Sequence, residues 1–235
     1  MDGSDLAEGL RSRLAAVRAR IDAAARTAGR DPAEVRLLAV SKTVPADVVR
    51  LAVEAGCEAL GESRAQELTA KAADLADLAP RWAFLGPLQT NKARDVAAHA
   101  HELHSLDRPA LAETLQRRLD AADRMLEVLV QVNTSGEAAK SGVAPADAES
   151  LVRAAAGYDR LHVRGLMTIA TRGGDDAEAR RCFRELAAAA ARVREAGIDG
   201  VGMDELSMGM SGDLEVAIEE GATTVRVGTA IFGAR

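Results

Sequence analysis

A lysine at the end of an apolar run is the residue whose type and position best suit covalent chemistry. Lys42 follows Leu37-Leu38-Ala39-Val40-Ser41, a run typical of a buried strand. We expect an amine at such a strand end to be partly desolvated, and desolvation favours the neutral form that makes Schiff bases with carbonyl groups. The alternative is an ordinary lysine whose charged end reaches solvent. The other lysines (Lys71, Lys92 and Lys140) lie in polar, helical or loop-like surroundings.

Two glycine-containing segments suit an anion. Ser207-Met208-Gly209-Met210-Ser211-Gly212-Asp213 leads into a predicted helix with Ser211 as its expected N-cap, and amides at a helix start favour phosphate. Arg226-Val227-Gly228-Thr229 adds a guanidinium, a glycine that permits close backbone approach, and a hydroxyl donor. The alternative is a pair of ordinary strand-to-helix turns. An amine beside a phosphate site fits either pyridoxal 5′-phosphate or a Schiff-base aldolase acting on a sugar phosphate.

Alternating apolar runs and helical patterns indicate how these residues are positioned. An amphipathic helix is predicted to open the chain and to end near Gly29. The candidate strands are Val35–Ser41, Cys57–Leu60, Trp82–Gly86, Glu102–Ser105, Met125–Asn133, His162–Ile169, Asp204–Met208 and Thr224–Gly228. Eight strand-helix units predict an α/β protein, a single (β/α)8 TIM-type barrel with an extra N-terminal helix. An open doubly wound sheet is the alternative.

The barrel is predicted to occupy residues 1–235 as one domain, with residues 1–30 forming the helix packed on it. In such a barrel the active site lies at the carboxyl ends of the strands. Small or polar residues follow almost every predicted strand there, so we expect them to border one rim. Leu38, Val40 and Lys42 share one face of the first strand by alternation, which places Lys42 above the barrel interior.

Composition excludes several classes of function. The net charge is −6 with acidic and basic residues interspersed, which gives no basic face for nucleic acid. The sequence shows neither a signal peptide nor an apolar stretch long enough to span a membrane. Cys57 and Cys182 are predicted to be unpaired structural thiols, so we expect a cytoplasmic protein. His99, His101 and His104 are interpreted as surface histidines rather than as metal ligands.

Several motifs together resemble one family, the pyridoxal phosphate homeostasis proteins, a group related to the barrel domain of alanine racemase. The resemblance covers nearly the whole chain in order. The motifs are Leu38-Ala39-Val40-Ser41-Lys42-Thr43, Phe84-Leu85-Gly86-Pro87-Leu88-Gln89-Thr90-Asn91-Lys92, Lys140-Ser141-Gly142, Arg164-Gly165-Leu166-Met167, Ser207-Met208-Gly209-Met210-Ser211 and Val225-Arg226-Val227-Gly228-Thr229-Ala230-Ile231-Phe232-Gly233.

The resemblance implies a cofactor and its ligands. Pyridoxal 5′-phosphate would form a Schiff base with Lys42, and its phosphate would lie near Ser207, Met208, Arg226, Gly228 and Thr229. Met167, Ser63 and Asn133 are further rim residues expected to contact the cofactor. Family members usually carry asparagine where this chain has Ser63, which makes that contact a departure from the pattern.

The resemblance also implies a role in intracellular vitamin B6 homeostasis, in which the protein buffers the cofactor or delivers it to apoenzymes. A racemase of this fold needs a second acid or base, commonly a tyrosine, on the opposite face of the cofactor. The single tyrosine, Tyr158, is predicted at the other end of the barrel. We therefore expect a monomeric carrier without established turnover. The alternative is a racemase or lyase of the alanine racemase type with weak activity.

Overall fold

Within the part of the chain that the structure describes, residues 3–137, 139–171 and 173–233, eight parallel strands close into a barrel in chain order. The structure is a computed structural model. The strands are β1 (Arg36–Val40), β2 (Ala59–Glu62), β3 (Arg81–Phe84), β4 (Glu102–Leu106), β5 (Leu126–Gln131), β6 (Leu161–Met167), β7 (Glu205–Ser207) and β8 (Thr224–Val227). The predicted barrel is confirmed, and each predicted strand overlaps an observed one.

Nine α-helices lie in the same described residues and surround the strands. They are α1 (Gly3–Thr27), α2 (Ala46–Glu54), α3 (Ala65–Asp74), α4 (Ala93–His99), α5 (Pro109–Ala122), α6 (Ala148–Ala156), α7 (Asp176–Glu195), α8 (Leu214–Glu219) and α9 (Thr229–Phe232). The helices cover the outward faces of the strands, which explains why the strand segments are almost continuously apolar. None of these described helices combines the length and apolar character that a bilayer crossing requires.

The inside of the barrel contains a small apolar layer. Leu38 on β1, Ala59 on β2 and Ala83 on β3 form a separate buried cluster against which Leu85 packs. Alternation along β1 then places Val40 on the same face as Leu38, and Lys42 follows in the turn beyond the carboxyl end of the strand. This packing supports the predicted placement of Lys42 above the interior.

A charged layer closes the opposite end of the barrel interior. Arg36 donates from Nη1 and Nη2 to the carboxylate of Glu102 over 2.7 and 2.8 Å, and Arg81 Nε donates to the same carboxylate over 2.6 Å. Arg36 also pairs with Glu205, and Arg81 pairs with Glu127. The floor thus holds three carboxylates and two guanidinium groups, and each carboxylate pairs with at least one guanidinium.

The opening helix packs across the last two helices. Its apolar residues Leu10, Leu14, Val17 and Ile21 are buried. It ends at Thr27, close to the predicted end, and Gly29 two residues later has a φ of 70°, which suits glycine. Arg13 Nε donates to Ile231 O over 2.6 Å, and Arg20 forms an ion pair with Glu215 at 2.7 Å. The helix therefore joins the beginning of the described chain to its far end.

Candidate functional site

A cavity of about 470 Å³ opens at the carboxyl ends of the strands. Its walls come from residues at or after the ends of β1, β2, β3, β6, β7 and β8, so most of the predicted rim borders one cavity. The lining residues are Val40, Lys42, Ser63, Leu85, Gly86, Pro87, Met167, Ile169, Met210, Ser211, Gly212, Arg226, Gly228 and Thr229.

Lys42 lies in this cavity, but its side chain is exposed. The expectation of a partly desolvated amine was therefore wrong. The residue stands past the end of β1, in a turn on the open rim, where neighbouring side chains do not cover it. Its amine is consequently accessible to a carbonyl compound arriving from solvent.

The turn that carries Lys42 is held on both sides. Thr43 has a φ of 62°, a conformation that costs a β-branched residue free energy and persists only where other contacts fix it. Its backbone N–H donates to Glu67 Oε2 over 2.7 Å. Val44 N donates to Ser41 O over 3.0 Å, which closes the turn.

A second lysine, Lys71 on α3, supports this turn from below. Lys71 lies in a helix among polar groups, as predicted, but it is only 6% exposed. Its ammonium donates to Ser41 O over 2.7 Å and to Glu62 Oε1 over 2.6 Å, and it lies 3.4 Å from Glu67 Oε2. Its position three residues after the buried Leu68 was the sequence signal for burial.

Glu62, at the end of β2, is the carboxylate of this buried group. Ser41 Oγ also donates to Glu62 Oε1, over 2.7 Å. Burial raises the pKa of Glu62, against the opposing effect of hydrogen bonds from Lys71 and Ser41. Among the described residues, its second oxygen, Oε2, has no hydrogen-bond partner. The buried carboxylate of Glu62 is thus linked to the Lys42 turn through Ser41 and Lys71. Its negative charge is compensated by the ammonium of Lys71.

Arg226 on β8 brings a positive charge to the cavity wall. Its side chain is 5% exposed, with Nη1 donating to Ser207 Oγ over 2.8 Å and Nη2 donating to Thr168 O over 2.7 Å. Burial lowers the pKa of Arg226 to about 10, with a smaller opposing effect from Asp213. The guanidinium therefore stays charged at neutral pH and is fixed in direction.

The glycine-rich segment before α8 forms a turn at the cavity rather than a capped helix start. The helix begins at Leu214, so the expectation of Ser211 as its N-cap was wrong; Asp213 takes that position. Asp213 Oδ1 accepts from Met210 N over 2.5 Å, which pulls the turn tight. Arg20 Nη2 from α1 donates to Ser211 O over 3.0 Å and braces the turn from outside.

Three residues implied by the resemblance lie outside the cavity lining. Ser207 and Met208 are fully buried, and the Ser207 hydroxyl is occupied by its contact with Arg226. Asn133 lines a neighbouring cavity of about 230 Å³, where its side chain is bonded to its own loop. That neighbouring cavity shares the walls Leu85 and Pro87 with the main one.

His104 contradicts its interpretation as a surface histidine. It is fully buried on β4, inside the barrel, between Glu102 and Ser207. Atoms of Glu102, His104 and Glu205 lie within 4.8 Å of one another, but Arg36 already binds both carboxylates. The cluster is thus part of the charged floor. The alternation of Glu102 and His104 along a core strand was the sequence signal for an interior polar group.

A further cavity of about 290 Å³ lies at the opposite end of the barrel, beside α1. Arg18, Arg36 and Arg81 line it, which suggests an anion site at first sight. Arg36 and Arg81 are paired with Glu102, however, and Arg18 donates to Gly56 O over 2.7 Å. The three guanidinium groups of this cavity therefore already bind acceptors within the protein, which disfavours an anion site there.

Comparisons with known proteins agree with the geometry. The alanine racemase N-terminal domain family matches residues 12–235. A pyridoxal phosphate homeostasis protein of Pseudomonas aeruginosa is 50% identical over 223 residues, covering 94% of each chain.

Solved structures give the same result. PipY of Synechococcus elongatus, solved with PLP bound, superposes with a TM-score of 0.83 at 37% identity over 95% of this chain and 100% of that one. Alanine racemase of Corynebacterium glutamicum, at 18% identity, a TM-score of 0.70 and coverage of 97% and 62%, shares the fold.

Proposed function

Because the chain belongs to the alanine racemase N-terminal domain family, and within it to the pyridoxal phosphate homeostasis proteins, we propose that it binds pyridoxal 5′-phosphate at the carboxyl end of its barrel. One observation carries the proposal. Lys42 and the turn at Gly228 and Thr229 line the same cavity, so an amine and a glycine-hydroxyl turn face one space. A volume of about 470 Å³ suits a molecule of this size.

The residues present fit this cofactor. When bound, pyridoxal phosphate supplies an aldehyde that condenses with an amine. Lys42 would provide that amine from the rim, where it is accessible. The turns at Ser211-Gly212 and Gly228-Thr229 would hold the phosphate through backbone amides and a hydroxyl, because short glycine turns allow close approach. Arg226 would add a fixed positive charge between them.

Ser63, Met167 and Asn133 complete the proposed contacts. Ser63 and Met167 line the cavity together with Lys42, whereas Asn133 lines the adjoining cavity. Ser207 and Met208 would act from behind the wall, since Ser207 already binds Arg226. PipY, which is 37% identical to this chain, was solved with PLP bound, which supports the binding of this cofactor by the fold.

We further propose that the protein holds and releases the cofactor without turning over a substrate. Within the described part of the chain, no carboxylate, histidine or tyrosine lines the cavity. A proton at a substrate carbon would therefore find only Lys42 as a base, and the group facing the site from β8 is a guanidinium. Tyr158 lies between α6 and β6, at the amino end of the strands.

The open position of Lys42 supports delivery as the role. A Schiff base at an exposed amine is accessible to water and to a competing amine on an acceptor protein. We propose that the acceptors are apoenzymes that depend on pyridoxal phosphate, and that residues 1–235 act as one monomeric domain in the cytoplasm. The single ring of described strands supports the one-domain proposal.

Borohydride trapping tests the binding proposal. Purified protein is mixed with pyridoxal phosphate, reduced with borohydride and mapped by peptide mass spectrometry. We expect a visible absorption band before reduction and a pyridoxyl group on Lys42 after it. Lys42→Ala should lose both, whereas Lys92→Ala should keep both. A colourless wild-type protein without a modified Lys42 would refute the proposal.

Isotope exchange tests the absence of turnover. The loaded protein is incubated with L-alanine in deuterated water, and exchange at the α-carbon is followed by NMR. We expect a rate no higher than that of free pyridoxal phosphate. Exchange clearly above that rate, abolished in Lys42→Ala, would favour a racemase-like activity instead.

A further inference from the structure

A buried line of hydrogen bonds joins the charged floor of the barrel to the cofactor cavity. Arg226, which lines the cavity, donates from Nη1 to Ser207 Oγ over 2.8 Å. Ser207 Oγ lies 3.0 Å from Nδ1 of His104, and Nε2 of His104 lies 2.9 Å from Glu102 Oε2. Ser207 and His104 are both fully buried, so this line has no competition from solvent.

The chemistry of the side chains fixes the donors at the two ends of the line. A guanidinium has donors only, so the Ser207 oxygen accepts from Arg226. An ionised carboxylate has acceptors only, so His104 Nε2 carries the proton that Glu102 accepts. The contact between the Ser207 hydroxyl and His104 Nδ1 then connects Arg226 to Glu102. One ring nitrogen of His104 contacts Ser207, and the other contacts Glu102.

The floor gives this line a rigid anchor. Glu102 accepts from Arg36 and Arg81 as well as from His104, so its carboxylate cannot rotate without breaking several hydrogen bonds. Arg36 and Arg81 form ion pairs with Glu102 and also pair with Glu205 and Glu127, respectively.

We propose that His104 is a positioning residue for the cofactor site, because it holds the Ser207 hydroxyl that fixes the guanidinium of Arg226 against the cavity. The inference rests on the proposed function, in which Arg226 supplies the positive wall. Without this anchor the guanidinium keeps its bond to Thr168 O alone, and its long side chain gains rotational freedom. A mobile cation holds an anionic ligand less well than a preorganised one.

Two amide variants separate positioning from simple space filling. His104→Asn keeps a hydrogen-bonding atom near the place of Nδ1, toward Ser207, and loses the contact with Glu102. His104→Gln keeps one near the place of Nε2, toward Glu102, and loses the contact with Ser207. Both are buried polar substitutions of similar chemistry. Ser207→Ala removes the central hydroxyl and provides a third variant with little change in volume.

The first measurement uses the cofactor-free protein. The 15N side-chain resonances of Arg226, identified by their loss in Arg226→Lys, should be sharp in the wild type and in His104→Asn. They should broaden in His104→Gln and Ser207→Ala. Thermal unfolding of each variant reports its stability separately. If His104→Gln does not fold, unchanged Arg226 resonances in Ser207→Ala would still overturn the inference.

The second measurement is a titration with pyridoxal phosphate. We expect the dissociation constant to rise about tenfold in His104→Gln and in Ser207→Ala, the size expected for one hydrogen bond to a charged group. The double variant that combines His104→Gln with Ser207→Ala should bind pyridoxal phosphate no more weakly than either single variant. Both changes break the same line of hydrogen bonds. The absorption spectrum of bound cofactor should shift in the same variants.

Equal Arg226 resonances and equal affinities in His104→Asn and His104→Gln would overturn the inference. So would affinity losses that only follow thermal stability. Failure of the wild type to bind pyridoxal phosphate would refute the proposed function instead, and the resonances of the cofactor-free protein would still decide whether His104 fixes Arg226.

Discussion

The ammonium nitrogen of Lys71 lies 2.6 Å from Oε1 of Glu62, and both side chains are buried beneath the turn that carries Lys42. Lys71 also donates to Ser41 O over 2.7 Å. The turn that carries Lys42, the residue proposed to bind the cofactor, is thus supported by Lys71, which does not line the cavity. The pair links the stability of the barrel to the shape of its rim.

Lys71→Met is therefore expected to lower the free energy of unfolding by about 3 kcal/mol, because it leaves the Glu62 carboxylate buried without its cation. Urea denaturation measures this loss. Lys92→Met, at a half-buried lysine, is the matched control and should change stability by less than about 1 kcal/mol. Labelling of Lys42 by pyridoxal phosphate and borohydride should also fall in Lys71→Met. Equal stability of the two variants would contradict a structural role for the ion pair.

Two glycines in the same turn should respond in opposite ways. Gly212 lines the cavity and has open space where a Cβ would stand, so Gly212→Val should fold normally. Its side chain would occupy the cavity, and we expect the dissociation constants for pyridoxal phosphate and inorganic phosphate to rise at least tenfold. Isothermal titration measures both, and unchanged affinity would place the phosphate elsewhere.

Gly209 provides the contrast, because its φ is 91° and a Cβ there would lie 2.5 Å from Ala217 Cβ. Gly209→Ala should lower the free energy of unfolding by about 1–3 kcal/mol through backbone strain and this clash. Its melting temperature should therefore fall well below that of Gly212→Val. Equal melting temperatures of the two variants would contradict the close contact between Gly209 and Ala217.

The charged floor predicts a specific response to acid. Burial disfavours ionisation of Glu102, but hydrogen bonds from His104 and Arg36 outweigh it and hold the pKa of Glu102 below its ordinary 4.5. As the pH falls through 4.5, the unfolded chain takes up a proton that the folded chain does not, so the free energy of unfolding decreases. The stabilisation from this group is complete above that pH and is lost below it.

Glu102→Gln should accordingly be about 3 kcal/mol less stable than the wild type at neutral pH. Its stability should also fall less steeply in acid. Chemical denaturation across the acid range measures both effects, with Glu149→Gln, an exposed partner of Arg153, as the control. Parallel pH profiles for the wild type and Glu102→Gln would contradict the assigned direction of the pKa shift.

The two thiols should be unreactive in the folded protein. Burial raises the pKa of Cys57 to about 11, with a smaller opposing effect from Arg18, and Cys182 is fully buried. Iodoacetamide at neutral pH should therefore alkylate neither until urea unfolds the chain. Glu113→Cys on the exposed face of α5 should react at once, which shows that the reagent is active. Rapid labelling of Cys57 in the native state would disprove its burial.

Local patterns were sufficient to predict the barrel and the main members of the rim. Parallel strands that are buried on both faces are recorded as apolar runs, and Lys42, Arg226 and Thr229 follow or end such runs. Lys42 was predicted to lie above the barrel interior, and it lines the cavity at that end of the barrel. These features depend on residues close in sequence, which is why they are readable.

The supporting contacts were not readable because they join distant segments. The bond between His104 and Ser207 spans 103 positions, and the burial of Lys71 depends on how α3 packs beneath the turn after β1. The N-cap of α8 was predicted at Ser211 but lies at Asp213. Both residue types are suitable caps, and only the geometry of the turn selects one of them. Lys42 was expected to be partly desolvated because it follows an apolar run, although its side chain is exposed on the open rim.

The contact between Arg13 and Ile231 crosses 218 positions of sequence. The ring of strands also closes only when β8 pairs with β1. A chain emerging from the ribosome therefore carries Lys42 early. The cavity that Lys42 lines lacks Gly228 and Thr229 until β8 has been synthesised. Contacts this distant slow folding, because the intervening chain must first be ordered. The proposed cofactor cavity, which joins Lys42 to Gly228 and Thr229, is therefore complete only once β8 has paired with β1.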